Sequence, residues 1–218
     1  RGLDNLKNLT TLILDHNKLR TCQGLENITS LRRLDLESNQ ISTLDGLGNL
    51  KSLRILGVSS NKLTDLDPLQ KCVDLRQLYL DNNQFSSLRS LGNFESLFAL
   101  SLSNNQLTDA TELATCFSLD SLRLNNNNLV DVQGLQNLTQ LTVLHLKDNR
   151  IQSIEGLQNL KKLTFLDLSG NQLKSVQVLH KLENLYTLDL NGNQIPQKQI
   201  EELRNALPEC RISYGERY

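Results

Sequence analysis

The chain has little of several residue types: tryptophan and methionine are absent, only 3 prolines occur in 218 residues, and aromatic residues make up 4%. It also has no run of 18 apolar residues, so the sequence predicts no helix that spans a membrane. The formal net charge is −1, which predicts no general attraction to nucleic acid or to an anionic membrane. Fold and function must therefore be inferred from the spacing of the residues that are present.

Cysteine is scarce as well, with 4 residues, no CxxC pair and no spacing typical of a zinc site. Cys22, Cys72 and Cys116 stand where equivalent parts of the chain have leucine or isoleucine, which is how a free buried thiol behaves. Free thiols favour a cytoplasmic location. A secreted or cell-surface location stays open, because a bacterial protein that forms no disulfides also fits the pattern.

The strongest signal is a motif that recurs every 22 residues and is clearest at residues 141–151. It has the form LxxLxLxxNxI, with leucine at the first, fourth and sixth places and asparagine at the ninth. Its first leucines are Leu9, Leu31, Leu53, Leu75, Leu97, Leu119, Leu141, Leu163 and Leu185, and its asparagines are Asn17, Asn39, Asn61, Asn83, Asn105, Asn127, Asn149, Asn171 and Asn193. A fixed period of about 20–29 residues with this pattern is typical of a leucine-rich repeat solenoid.

The predicted fold class is therefore α/β: a curved solenoid with short parallel strands on the concave face and 3₁₀ or short helical segments on the convex face. Leu144 and Leu146 alternate with Val143, His145 and Lys147, so the leucines are expected to point inward and the others outward. The asparagine that ends each strand is expected to bond backbone groups that the sheet does not reach, because its amide both donates and accepts.

The repeats divide the chain into three predicted parts. Residues 1–8 match the end of a repeat, since Gly2-Leu3 corresponds to Gly24-Leu25, and they are expected to be the end of a truncated preceding repeat. Residues 9–195 are predicted to form the leucine-rich repeats. Residues 196–218 are predicted to form a C-terminal capping helix and strand, because Pro196 can begin a helix and a solenoid needs an atypical end to cover its core.

The return segments have the form IxxIxGLxxLxxL, as at residues 151–163. This pattern resembles the repeats of the SDS22-like class of leucine-rich repeat proteins and the repeat region of bacterial internalins. The first resemblance implies a regulatory partner of a serine/threonine phosphatase, and the second implies a bacterial surface or secreted adhesion protein. Both imply that the chain binds another protein.

Outward strand residues carry no packing role, so their variation indicates where a partner would bind. One cluster contains Ile55, Tyr79 and Phe98, bordered by arginines, and a second contains Val143, His145, Phe165 and Tyr186 beside two aspartates. Aromatic residues and arginine are enriched at protein interfaces. The candidate partner-binding residues are Ile55, Arg76, Tyr79, Phe98, Arg123, His145, Phe165, Asp167 and Tyr186.

Other functions are disfavoured by the same surface. Ser121, His145 and Asp167 are the right residue types for a nucleophile, a base and an orienting acid, but an open sheet excludes little water and offers no spare backbone donors for an oxyanion. His16 and His145 are six repeats apart, about 30 Å, which disfavours a metal site. The basic column Arg32, Arg54 and Arg76 is expected to be neutralised by acidic residues on the same repeats.

We therefore predict a protein-binding module that has no catalytic residues, no cofactor and no metal. Its predicted partner is another protein on the concave face; nucleic acid and membrane insertion are not expected, and the chain is expected to be monomeric.

Overall fold

The computed structural model describes residues 3, 5–91 and 94–215. Within them lies one parallel sheet of ten strands, in which every strand has three residues and the spatial order follows the sequence order. The strands are β1 Thr11–Ile13, β2 Arg33–Asp35, β3 Ile55–Gly57, β4 Gln77–Tyr79, β5 Ala99–Ser101, β6 Ser121–Arg123, β7 Val143–His145, β8 Phe165–Asp167, β9 Thr187–Asp189 and β10 Arg211–Ser213. The predicted solenoid of leucine-rich repeats is confirmed.

The register of the sheet keeps equivalent residues of successive repeats side by side. Leu144 of β7 pairs with Leu122 of β6 and with Leu166 of β8, which are its equivalents in the preceding and following repeats. The same offset of one repeat holds from β1 to β9. The last pair differs, because Arg211 of β10 pairs with Thr187 of β9 across a slightly longer stretch of chain than one repeat. Columns of equivalent residues therefore run straight across the sheet as far as β9.

The core lies behind the sheet and is filled by the repeated leucines. Leu141, Leu144 and Leu146 are fully buried, as are their equivalents in most repeats. The first repeat differs, since Leu12 and Leu14 are only partly buried. Successive repeats therefore bury one another's apolar side chains, which is how a solenoid gains stability.

The repeated asparagine joins neighbouring repeats, as expected from the sequence. Nδ2 of Asn149 donates to the carbonyl oxygens of Leu146 (3.1 Å) and Lys147 (3.3 Å) in its own repeat. It also donates to Leu124 O (2.9 Å), and Oδ1 accepts from the N–H of Leu129 (3.0 Å), both in the preceding repeat. The same four-way arrangement recurs at Asn39, Asn61, Asn83, Asn105, Asn127 and Asn171.

The residue before each of these asparagines adopts a left-handed backbone conformation. It has φ between 53° and 56° in seven repeats, whereas glycine takes this place in the last two, as Gly170 (65°) and Gly192 (68°). Glycine, asparagine and aspartate adopt this positive φ more readily than most other residues do. Asp148 belongs to this set, so its backbone conformation restricts which residues fit, unlike that of the outward strand residues.

The return segments contain 3₁₀ turns, and the chain then ends in a helix and a strand. The 3₁₀ turns in the described residues are Asp67–Leu69, Arg89–Leu91, Thr111–Thr115, Leu157–Asn159 and Gln177–Lys181. Helix α1 spans Gln197–Ala206, and its Ile200 and Leu203 are buried. Leu207 also joins the core before β10 extends the sheet. Division of the chain at residue 195, with 196–218 as a cap, remains our prediction.

Candidate protein-binding surface

Two columns of side chains point away from the core on the outer side of the sheet. In each strand from β2 to β9 the middle residue is a buried leucine and its two neighbours point outward, as Phe165 and Asp167 do on either side of Leu166. We call this outer side the strand face. Most of the candidate residues predicted from the sequence lie on the strand face. The other three, Arg76, Phe98 and Tyr186, directly border it, since they immediately precede β4, β5 and β9.

The strand face carries a cluster near its C-terminal end, made of Val143, His145, Phe165 and Tyr186. The rings of His145 and Phe165 meet with their centroids 4.6 Å apart and their planes tilted by 39°. Phe165 also lies in register beside Val143 on the neighbouring strand. The first three of these residues are half-buried, so they form a packed and largely apolar surface that faces outward. We call the four residues the C-terminal cluster.

Tyr186 extends the cluster toward the end of the sheet. Its side chain is 53% exposed, and the guanidinium carbon of Arg211 lies 4.9 Å from the centre of its ring. A cation over an aromatic face is attracted by the ring and limits its movement. Sequence reasoning missed Arg211, because it lies beyond the last repeat, on the strand whose register departs from the repeat period.

The environment of His145 favours its neutral form. Partial burial lowers its pKa below the ordinary value, Arg123 beside it lowers the pKa further, and Asp167 on the other side opposes these effects. Arg123 and Asp167 stand in register with His145 on β6 and β8. At neutral pH the C-terminal cluster therefore presents an uncharged imidazole between one cation and one anion.

The serine, histidine and aspartate considered for catalysis are not assembled. Ser121 pairs in register with Val143, whereas Arg123 occupies the place opposite His145. Oδ1 of Asp167 accepts hydrogen bonds from the N–H (2.9 Å) and the hydroxyl (2.7 Å) of Ser169. The carboxylate therefore holds the turn at the end of its own strand.

A second group of candidate residues lies toward the other end of the strand face, and its aromatic rings stand apart. Tyr79 is 38% exposed and lies between Gly57 and Ser101 on the adjacent strands, two small residues that leave its ring open on both sides. Its hydroxyl donates to Oε1 of Gln77 (3.1 Å). Phe98 is 39% exposed, and Ile55 is half-buried. We call Ile55, Tyr79 and Phe98 the N-terminal cluster.

The four cysteines are free. Burial raises the pKa of the Cys22 thiol to about 12, and nearby Asp45 and Glu26 add to the effect. Burial also raises the pKa of Cys72 and of Cys116 to about 11. These three thiols are therefore protonated at neutral pH and are poor nucleophiles.

The described ranges contain neither a metal-binding group of side chains nor a membrane-spanning helix. Residues 3, 5–91 and 94–215 contain no group of three or more histidine, cysteine, aspartate or glutamate side chains arranged to hold a metal ion. In the same part of the chain, no helix has the length and apolar character that crossing a membrane requires.

Comparison with known proteins agrees with this architecture. The family model described as leucine rich repeats (2 copies) matches residues 7–49, 51–93, 117–159, 139–179 and 161–205. A comparison with the sequences of curated proteins gave no significant match.

Among solved structures, the chain is similar to an internalin (inlF) of Listeria monocytogenes, with 30% identity and a TM-score of 0.86 over 99% of this chain and 71% of that one. It is 31% identical to internalin C2 of the same organism, with a TM-score of 0.83 over 85% of this chain and 82% of that one. A chain from an octameric complex of Latrophilin 3, Unc5D and FLRT2, in which FLRT2 is the leucine-rich repeat component, is 29% identical with a TM-score of 0.81, over 97% of this chain and 70% of that one. The chain belongs to the family of leucine-rich repeat proteins.

Proposed function

We propose that this protein is a non-catalytic recognition module that binds another protein on its strand face. The observation that carries the proposal is the contact between the rings of His145 and Phe165 on β7 and β8; a second ring contact, between Tyr186 and Arg211, lies farther along the same face. The surface is formed before any partner binds, so little conformational freedom is lost on association. The similarity to a complex that contains FLRT2 as its leucine-rich repeat component supports the same role.

Aromatic anchors in such a surface are expected to provide most of the binding energy. Truncation of a central aromatic residue at an interface costs about 2 kcal/mol or more. Phe165 and Tyr79 are the candidates that we expect to matter most, one in each cluster. Neither belongs to the buried core, so their removal tests binding without leaving a cavity in the core.

The test is a pull-down with the unaltered protein as bait, followed by mass spectrometry of the captured proteins. The double variant Tyr79→Ala/Phe165→Ala should lose the captured partner, while the matched variant Phe117→Ala should retain it. Phe117 is 55% exposed and lies in the turn before β6, so it controls for the loss of an exposed phenylalanine away from both clusters. Equal capture by all three proteins would contradict the proposal.

A finer candidate function is adhesion to another cell, in the manner implied by the likeness to internalins. The structural similarity at 30% and 31% identity to two of these proteins favours it. The same pull-down separates the candidates. Capture of a cell-surface protein would support adhesion, whereas capture of a serine/threonine phosphatase would support the phosphatase-regulatory role implied by the SDS22-like repeats.

A further inference from the structure

A row of arginines borders the N-terminal cluster. Arg32, Arg54 and Arg76 immediately precede β2, β3 and β4, and each is exposed. The backbone hydrogen bonds of the sheet continue through them, since the N–H of Arg54 donates to Arg32 O and the N–H of Arg76 donates to Arg54 O, both at 2.8 Å. The three residues are therefore direct neighbours, about 5 Å apart at the backbone. We call them the arginine row.

The expected neutralisation of this row by acidic side chains on the same repeats does not take the form of ion pairs. The carboxylate of Asp15 pairs with His16 (2.9 Å). Oδ1 of Asp81 accepts from the hydroxyl of Ser101 and from the N–H of Ser103, both at 2.6 Å. Across residues 5–91 and 94–215, no carboxylate lies within ion-pair distance of the three guanidinium groups. Three neighbouring cations thus face solvent without a counter-charge in contact.

Phe98 and Asp120 continue the same column beyond Arg76. The N–H of Phe98 donates to Arg76 O and the N–H of Asp120 donates to Phe98 O, each at 2.9 Å. The column therefore passes from three cations to an exposed aromatic ring and then to an acid. A long polyanion that followed the column would meet the carboxylate of Asp120. A short acidic segment followed by an apolar side chain matches the whole column.

We propose that the arginine row and Phe98 bind an acidic segment of a partner protein, with its carboxylates on the guanidinium groups and a following apolar side chain on Phe98. Alternate side chains of an extended segment are about 6.6 Å apart, so three carboxylates span about 13 Å, close to the roughly 10 Å between Arg32 and Arg76. Guanidinium groups bind carboxylates through paired hydrogen bonds. This inference rests on the proposed function and adds the chemistry of the partner.

The test measures binding of a fluorescent oligoglutamate peptide that ends in phenylalanine, by fluorescence anisotropy at low ionic strength. Arg54→Glu and Arg76→Glu should each weaken binding by about tenfold or more, because each replaces an attraction by a repulsion. Arg150→Glu makes the same charge change at an exposed arginine outside the strand face and should change the affinity by less than about twofold. Phe98→Ser should weaken binding of this peptide but not of a peptide that ends in serine.

Several outcomes would overturn this inference. The first is that the unaltered protein does not bind the peptide, and the second is that all three charge reversals weaken binding equally. The third is that oligouridylate or heparin binds as tightly as the peptide and that Arg54→Glu weakens this binding to the same extent. Phe165→Ala separates this inference from the proposed function, because it should reduce capture of the partner in the pull-down while leaving peptide binding unchanged. If Phe165→Ala does not reduce capture of the partner, the proposed function fails. If Phe165→Ala weakens binding of the peptide, the inference about the arginine row fails.

Discussion

The two sides of each strand differ in how much the residue type varies from repeat to repeat. In β8, Leu166 is fully buried and has a leucine equivalent in every repeat, whereas the neighbouring Phe165 has valine and threonine as its equivalents on the adjacent strands. We call the inward leucines and the repeated asparagines the framework. The framework holds the repeats together, whereas the residues of the strand face vary from repeat to repeat.

The largest expected effect on stability comes from the framework core. Leu146→Ala should lower the free energy of unfolding by about 2–5 kcal/mol, because it leaves a cavity among fully buried side chains. Chemical denaturation measures this loss. Lys147→Ala, at the exposed neighbouring position, should change the free energy by no more than about 0.5 kcal/mol. Similar losses in both variants would remove the distinction between framework and strand face.

A smaller loss is expected at the asparagine ladder. Asn149→Ala leaves the buried N–H of Leu129 in the preceding repeat without its acceptor, which should cost about 1–3 kcal/mol. Asn17 is the matched control: it is exposed, and it donates only to Leu14 O and Asp15 O within its own repeat. Denaturation of Asn17→Ala should show less than half of the loss found for Asn149→Ala. Equal losses would mean that the hydrogen bonds between repeats do not contribute to the free energy of unfolding.

The smallest expected effect on stability concerns His145, on the strand face. Its pKa is lowered in the folded protein, so the unfolded chain binds the proton more readily and unfolding takes up a proton as the pH falls below about 6.5. This part of the stability is fully present above that pH and is lost as the pH falls toward the lowered pKa. His145→Gln should remove it.

The measurement is the free energy of unfolding of the unaltered protein and of His145→Gln between neutral pH and about pH 5. The decrease on acidification should be smaller in His145→Gln. His16→Gln, at an exposed histidine paired with Asp15, controls for histidine removal elsewhere and should not reduce the decrease in this way. Parallel curves for His145→Gln and the unaltered protein would contradict the assigned environment of His145.

The framework could be predicted from the sequence because one pattern is repeated nine times. The inward leucines, the bonding role of Asn149 and the 3₁₀ returns follow from spacing and from the chemistry of a single side chain. The left-handed residue before each asparagine could not be predicted with the same ease, because His16, Ser38 and Asp148 share no obvious side-chain property. Glycine, asparagine or aspartate at six of the nine places carried that signal, whereas Ser38 and Ser60 did not.

The strand face could be predicted only as a set of columns. Spacing placed His145 beside Phe165 and Asp167, but it could not show that the two rings touch or that Ser169 occupies Oδ1 of Asp167. Arg211 lay outside the repeats and therefore outside the prediction. Side-chain contacts depend on rotamers and on neighbouring strands, which the period of the repeat does not specify.

The most direct test of the strand face as a binding surface is the affinity of the captured partner for Phe165→Ala, measured by calorimetry beside Phe117→Ala and the unaltered protein. We expect Phe165→Ala to weaken binding by about tenfold or more, which corresponds to about 1.4 kcal/mol or more, while Phe117→Ala binds like the unaltered protein. An affinity of Phe165→Ala equal to that of the unaltered protein, or an equal loss in Phe117→Ala, would contradict binding of the partner on the strand face.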